Sequence, residues 1–546
     1  MNKLFKLSSW EIFAALIAAT FAIPILLILL SLFSGFNENF THIYEVVLYE
    51  YSLNSLYLVI GVSSLVIFIG VISAWLVTNY DFIGKKFFTW ALILPLAIPP
   101  YILAYVFTEI FDYSGSANSL LRSLNLVSED YALPNIRSLS GAIIVFSFTL
   151  YPYVYLITRV ALMSILKPML DSSRVLGLSK LQTFFKVTLP IIRPAILAGT
   201  ALVAMETLSD FGAVQHFALP TFTTGIFRTW LGMYDLTTAM QLASILLFVI
   251  CIVLYFERYQ RSKQRYSAAG VKSEKLTSTK LKGIHNYLAA FFCFIPIFLG
   301  FIIPVTELIN WATAIDNTFS NDFISSSFNT LFLAFVAGLV TSVVALILNF
   351  NARTDTKRSS EEINNFVSMG YAVPGLILAI GITQLLTYID YILFSTGLIV
   401  TGSLLGLIFA YVIKSYALSN NVIQSSYKQF STDIDDSART LGSNKRKLLF
   451  NIHVPLLKTG LLTSFLLVVS EVVKELPATL ILRPFNFDTL AVNVYLLASE
   501  ERMYEAAFPA LFIILIGLIP IYFLSKMIDH SRNCLLYTSP SPRDRG

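Results

Sequence analysis

The sequence predicts an all-α integral membrane protein with about twelve transmembrane helices in two parallel six-helix repeats. Three observations predict it: composition, the spacing of apolar stretches, and an internal repeat. Hydrophobic residues make up 56% of the 546 residues, charged residues 13%, and the mean hydropathy is +0.72. Soluble domains carry roughly 25% charge, and a soluble chain of this length needs far more polar surface. An ordinary soluble enzyme, a disordered chain and a secreted disulfide scaffold are therefore excluded. Cys251, Cys293 and Cys534 lie far apart, which argues against a disulfide framework or a zinc site.

A transmembrane helix needs about 20 mostly apolar residues. Stretches of this kind lie near 11–33, 53–78, 88–110, 141–158, 194–213, 238–256, 286–305, 327–349, 366–385, 399–413, 459–481 and 507–525. Continuous alternating strands are missing, so an outer-membrane barrel is not expected. The first stretch is too long for a signal peptide and lacks a small-residue cleavage site, so it counts as a helix.

Lys and Arg in the connections orient the chain. With the N-terminus inside, the cytoplasmic connections hold 32 and the outer ones 5, with Lys474 left inside a predicted helix. A missed span would invert everything after it. Both termini are therefore expected in the cytoplasm, on a multi-pass protein of the cell inner membrane. Residues 257–285 form a basic linker, suited to anionic lipid headgroups rather than nucleic acid. It separates a first repeat, 1–256, from a second, 286–532. Residues 533–546 change composition abruptly, resemble an appended segment, and are set aside.

The halves repeat each other in the same orientation. Asn54-Ser-Leu-Tyr-Leu58 matches Asn329-Thr-Leu-Phe-Leu333, and Ile98-Pro99-Pro100 matches Val373-Pro374-Gly375, both at an offset of 275. Farther on the offset is 265: Asp171-Ser-Ser-Arg-Val-Leu-Gly177 matches Asp436-Ser-Ala-Arg-Thr-Leu-Gly442, and Leu189-Pro190 matches Val454-Pro455. A parallel repeat places a pseudo-twofold axis along the membrane normal, with one central path between the halves.

In each half, the connection from the fourth to the fifth helix carries the most specific pattern. Arg174 and Arg439 follow the acids Asp171 and Asp436 by three residues. Gly177 and Gly442 follow the acids by six, and Pro190 and Pro455 follow the glycines by thirteen. This spacing predicts a short helix, a glycine turn, a second short helix and a proline before the next span. Such a helix pair is a docking knob that fits a groove.

The pattern resembles the docking loop of ATP-binding-cassette importer permeases of type I, which begins Glu-Ala-Ala where this chain has Asp-Ser-Ser and Asp-Ser-Ala. Two further stretches are similar to the fused two-repeat permeases of ferric-iron importers. These are Leu208-Ser-Asp-Phe-Gly-Ala-Val with Pro220 to Trp230, and Lys474-Glu-Leu-Pro-Ala-Thr-Leu to Leu490. Related branches import thiamine, phosphonates, sulfate or polyamines. The resemblance implies that Asp171, Arg174, Gly177, Leu189 and Pro190, with Asp436, Arg439, Gly442, Val454 and Pro455, dock two ATPase subunits. It also implies an extracytoplasmic substrate-binding protein. No phosphate loop occurs, so ATP and Mg are expected on the partner subunits and no cofactor on this chain.

Charges inside a bilayer are expensive and usually face the protein interior. The fifth helix carries Glu206 and Asp210; its repeat mate, the eleventh, carries Glu471, Lys474 and Glu475. Each acid pair is spaced i, i+4, which predicts one helical face. Four carboxylates facing a central path suit a hard, highly charged cation in transit. Lys474 offsets one charge, so no tight metal site is expected. Two other classes share some of these features. An ion-driven secondary transporter also has twelve helices in two halves but needs no duplicated docking helices. For a membrane enzyme, the five histidines are too scattered to form a catalytic group.

Overall fold

Prolines break the helices at two repeat-related positions. In the computed structural model, which describes residues 9–128, 133–165, 172, 173, 175–262, 279–315, 320–354, 358–394 and 397–534, the chain is almost entirely helical. Ile98 leaves the helical region at ψ 116° and Val373 at ψ 123°. Pro99 and Pro374 follow at ψ 145° and 139°, and new helices start at Pro100 and Gly375. A residue before proline is pushed out of the α region, and proline cannot donate to the preceding turn. The expected continuous spans 88–110 and 366–385 are thus both broken, at repeat-related positions.

Ten helices among the described residues are long and apolar enough to cross a bilayer. The pair Lys85–Ala97 and Pro100–Ser123, bent by 90°, makes an eleventh if counted as one span. The expected span 399–413 is instead the 24-residue helix Leu404–Tyr427. It carries the part-buried Lys414 and the buried Ser419 and Asn420, so its apolarity falls below that of the others. Lys414 therefore belongs to a helix interior, not to a cytoplasmic connection.

Two more expectations fail at helix ends. Spans 194–213 and 459–481 stop at Ser209 and Lys474, where Asp210 and Glu475 turn to ψ 139° and 114°. At the other end, Pro190 and Pro455 do not precede their spans but lie inside continuous helical runs, Phe184–Ser209 and Lys445–Lys474. A π turn sits just before each, at Phe184–Thr188 and Leu448–His453. The wider turn makes room for the ring that would otherwise strike the carbonyl one turn back.

Repeat-related side chains hold repeat-related loops. Asn54 Nδ2 donates to Pro220 O at 3.1 Å, and Asn329 Nδ2 donates to Asp488 O at 3.0 Å. The next residues act alike: Phe222 N donates to Ser55 Oγ and Leu490 N to Thr330 Oγ1. These bonds explain the matched Asn-Ser and Asn-Thr pairs. Interiors differ between the halves. The second holds a buried chain in which Asn364 Nδ2 donates to Asn349 Oδ1, Asn349 Nδ2 to Asn420 Oδ1 and Asn420 Nδ2 to Ser368 Oγ. The repeat equivalents are Thr89, Ala74, Tyr155 and Ile93. Interhelical polar bonds of this kind contribute about 0.6 kcal/mol each inside a membrane. Of the linker, 263–278 lies outside the described residues; Thr279–Lys280 forms a two-residue parallel pairing with Tyr80–Asp81.

Candidate functional site

The helix breaks converge on one cavity. It holds about 100 Å³ and is lined by Glu206, Asp210, Lys414, Glu471, Lys474 and Glu475, with Tyr153 and Leu96 nearby. The five charged residues expected to share a path are thus together, but not in the expected way. Asp210 and Glu475 have left the helices of Glu206 and Glu471, so neither pair lies on one helical face. Asp210 Oδ1 accepts from Ala213 N at 2.9 Å and Val214 N at 3.3 Å, capping the short helix Gly212–His216. Glu475 Oε1 accepts from Ala478 N at 3.3 Å, capping Pro477–Leu482. A carboxylate at a helix N-terminus satisfies donors that the helix cannot. Gly212 and Pro477, two residues past each acid, were the signals for these breaks.

The two halves meet across this cavity. Tyr371 Oη, from the second half, donates to Glu206 Oε1 of the first at 3.1 Å. Lys474 Nζ approaches Leu96 O at 3.5 Å. Leu96 is the repeat mate of Tyr371. It offers no hydroxyl, and the Glu471 carboxylate has no hydrogen-bond partner among the described residues. Lys414, which the sequence reading missed, forms an ion pair with Glu475; both are largely buried, at 15% and 5% exposure. If all are ionised, four carboxylates outweigh two ammonium groups by two charges. Among the described residues no three acids, histidines or cysteines stand close enough to hold a metal ion. The arrangement offers oxygen ligands and a net negative charge to a small passing cation without a formed chelate.

The second feature is the pair of glycine loops. Gly177 has φ +85° and Gly442 φ +80°, and a Cβ on either would meet open space. In the first loop Leu178 N donates to Ser173 O at 3.2 Å, and in the second Ser443 N donates to Ala438 O at 3.0 Å. This six-to-one bond around a left-handed glycine ends a helix and satisfies its last carbonyls. Both glycine turns therefore close in the same way. Asp171 and Arg174 lie outside the described residues. Asp436 and Arg439 form an exposed pair at 3.8 Å, and Arg439 Nη2 also donates to Thr354 O. Leu189 and Pro190, like Val454 and Pro455, follow the π turns inside the helical runs that lead from the loops to the cavity acids. Leu176 and Leu441, one residue before each glycine, are 82% and 86% exposed.

What holds the second loop is Asp435, next to the residue that the spacing singled out. It accepts from Arg353 Nε at 2.6 Å and bonds His453 Nε2 at 2.8 Å. Arg353 also donates to the carbonyls of Tyr427 and Ser431. The first half has Thr78, Leu170 and Thr188 where the second has Arg353, Asp435 and His453. Only burial separates Asp435 from its exposed neighbours.

Residues 66–266 and 356–532 match the family described as the binding-protein-dependent transport system inner membrane component. The chain is 27% identical over 480 residues to the Fe(3+)-transport system permease protein FbpB 2 of Haemophilus influenzae, covering 87% of this chain and 89% of that protein. It is 23% identical over 440 residues to the ferric transport system permease protein FbpB of Actinobacillus pleuropneumoniae, covering 77% of this chain and 62% of that protein. It is 28% identical over 215 residues to the molybdenum transport system permease protein ModB of Haemophilus influenzae, covering 38% of this chain and 91% of that protein.

Proposed function

We infer the function from one premise: this chain belongs to the family of binding-protein-dependent transport system inner membrane components. It is a multi-pass membrane protein and the permease subunit of an ATP-binding-cassette importer, not an ion-coupled secondary transporter or a membrane enzyme. Its cargo is ferric iron, delivered by an extracytoplasmic binding protein. The observation that carries the cargo is similarity to a ferric permease along 87% of the chain. The cavity supports the same reading. Its carboxylates outnumber its lysines four to two, which repels sulfate, molybdate or phosphonate and attracts a cation.

Two ATPase subunits, which carry the ATP and Mg, dock on the loops at Gly177 and Gly442, one on each. With Lys414 inside a helix, Lys and Arg are distributed 31 to 5, which supports a cytoplasmic position for those loops and for both termini. Exposed Leu176 and Leu441 suit a hydrophobic groove on each ATPase subunit. Cargo passes between the halves, and the helices Leu189–Ser209 and Val454–Lys474 connect each loop to the cavity.

Native mass spectrometry of the chain co-expressed with its ATPase subunit tests this reading. Wild type should carry two ATPase copies. A β-branched residue at φ near +80° costs on the order of 1–2 kcal/mol, and no neighbour clashes. Gly177→Val with Gly442→Val should therefore fold, tilt both loops and weaken ATPase binding roughly tenfold per loop. Two ATPase copies held at wild-type affinity by the double variant would refute the docking role.

A further inference from the structure

The pseudo-symmetric cavity is unevenly charged, and the unevenness traces to Lys414. Its helix, Leu404–Tyr427, brings the ammonium to Glu475. Glu471 and Glu206 lie within its electrostatic reach. In the first half the equivalent residue is Thr149, whose hydroxyl is turned back on its own helix, to Val145 O and Phe146 O. The carboxylate of Asp210, the mate of Glu475, accordingly bonds only the backbone N–H groups of Ala213 and Val214 among the described residues. Gly375 completes the asymmetry. A Cβ there would overlap the Glu475 carboxylate, so this glycine leaves the space in which Glu475 meets Lys414.

We propose that Lys414 is a tethered counter-cation that keeps the cavity from becoming a metal trap. It keeps the Glu475 carboxylate paired within the cavity, leaving the passing ion with Glu206, Asp210 and Glu471 at most. A path must bind its ion well enough to admit it and weakly enough to release it. Released from Lys414, Glu475 would be free to swing in and close with the other three carboxylates of so small a space on a trivalent cation, holding it too firmly, because hard cations collect oxygen ligands. The ammonium occupies one of those carboxylates permanently, at no cost in diffusible ions. Lys414 is therefore a positioning residue. Its effect on cargo runs through Glu475 and through the summed charge of the cavity.

The inference rests on the cation-importer reading, and its test is separable from it. The full chain is purified in lipid nanodiscs, incubated with gallium(III) citrate, a redox-inert trivalent probe, and desalted. Retained gallium is then measured by mass spectrometry. Wild type should retain almost none, whereas Lys414→Met, which removes one positive charge from the cavity, should retain at least tenfold more. Lys414→Met combined with Glu475→Gln restores the charge balance and should return to the wild-type level, which also controls for damage to the fold. The inference is overturned if Lys414→Met retains no more gallium than wild type, or if the double variant retains as much as the single one. Failure of the wild-type transporter to import any cation would instead overturn the functional reading and leave the gallium result to stand by itself.

Discussion

A chain carrying both Glu206→Gln and Glu471→Gln should import ferric iron at least tenfold more slowly than wild type while still assembling with its ATPase subunits. Glutamine keeps the shape of each side chain, and its carbonyl can still accept the bond that Tyr371 gives to Glu206. What is lost is charge. The cavity goes from an excess of two carboxylates to a balance. At an effective dielectric of about 20, one unit charge at about 4 Å is worth roughly 4 kcal/mol to a monovalent ion, and more to a trivalent one. Neither residue is tied into a salt bridge among the described residues, so the substitutions should leave the helices in place. Radioactive iron uptake, with complex assembly followed by size-exclusion chromatography, checks this. Near-normal uptake by the double variant would reduce both residues to packing contacts.

The second large effect should come from Asp435→Ala. Its side chain is 7% exposed and holds Arg353 and His453 together beneath the second loop. Removing one partner of a buried ion pair strands the other, at about 3–5 kcal/mol. Arg353, whose side chain is 11% exposed, would keep its carbonyl bonds but lose its counter-ion. The short helix Asp433–Thr440 should then loosen, and ATP hydrolysis stimulated by the binding protein should collapse while the protein still inserts. Asp436→Ala is the control. Its pair with Arg439 is exposed on both sides, and such pairs are worth under about 1 kcal/mol. Equal effects from the two substitutions would mean that the buried network does not hold the loop.

These residues show how much of the site was legible in the sequence. The glycine loops were, because a left-handed turn leaves a fixed spacing in the chain and the repeat shows it twice. The cavity acids were legible as charges inside apolar stretches, but their geometry was not. Helical periodicity carries no mark of a helix that ends at Ser209 or Lys474, and only Gly212 and Pro477 betray the break. Lys414 was hidden by its own surroundings. With Ser415, Ser419 and Asn420 it lowers the apolarity of its helix, so the predicted span stops one residue short and the charge is counted with a connection. The same polar residues are what wire the second half internally. Asp435 was hidden differently: it stands in a run of acids, and selecting it requires knowing that Arg353, far back in the chain, folds onto it.

This chain should conduct ferric iron under the control of ATPase subunits. Proteoliposomes containing the chain and its ATPase subunit, with ATP inside and iron-loaded binding protein outside, test it most directly. Labelled iron should accumulate only when both ATP and the binding protein are present, and labelled sulfate should not accumulate. Iron accumulation without ATP, or sulfate accumulation in place of iron, would contradict it.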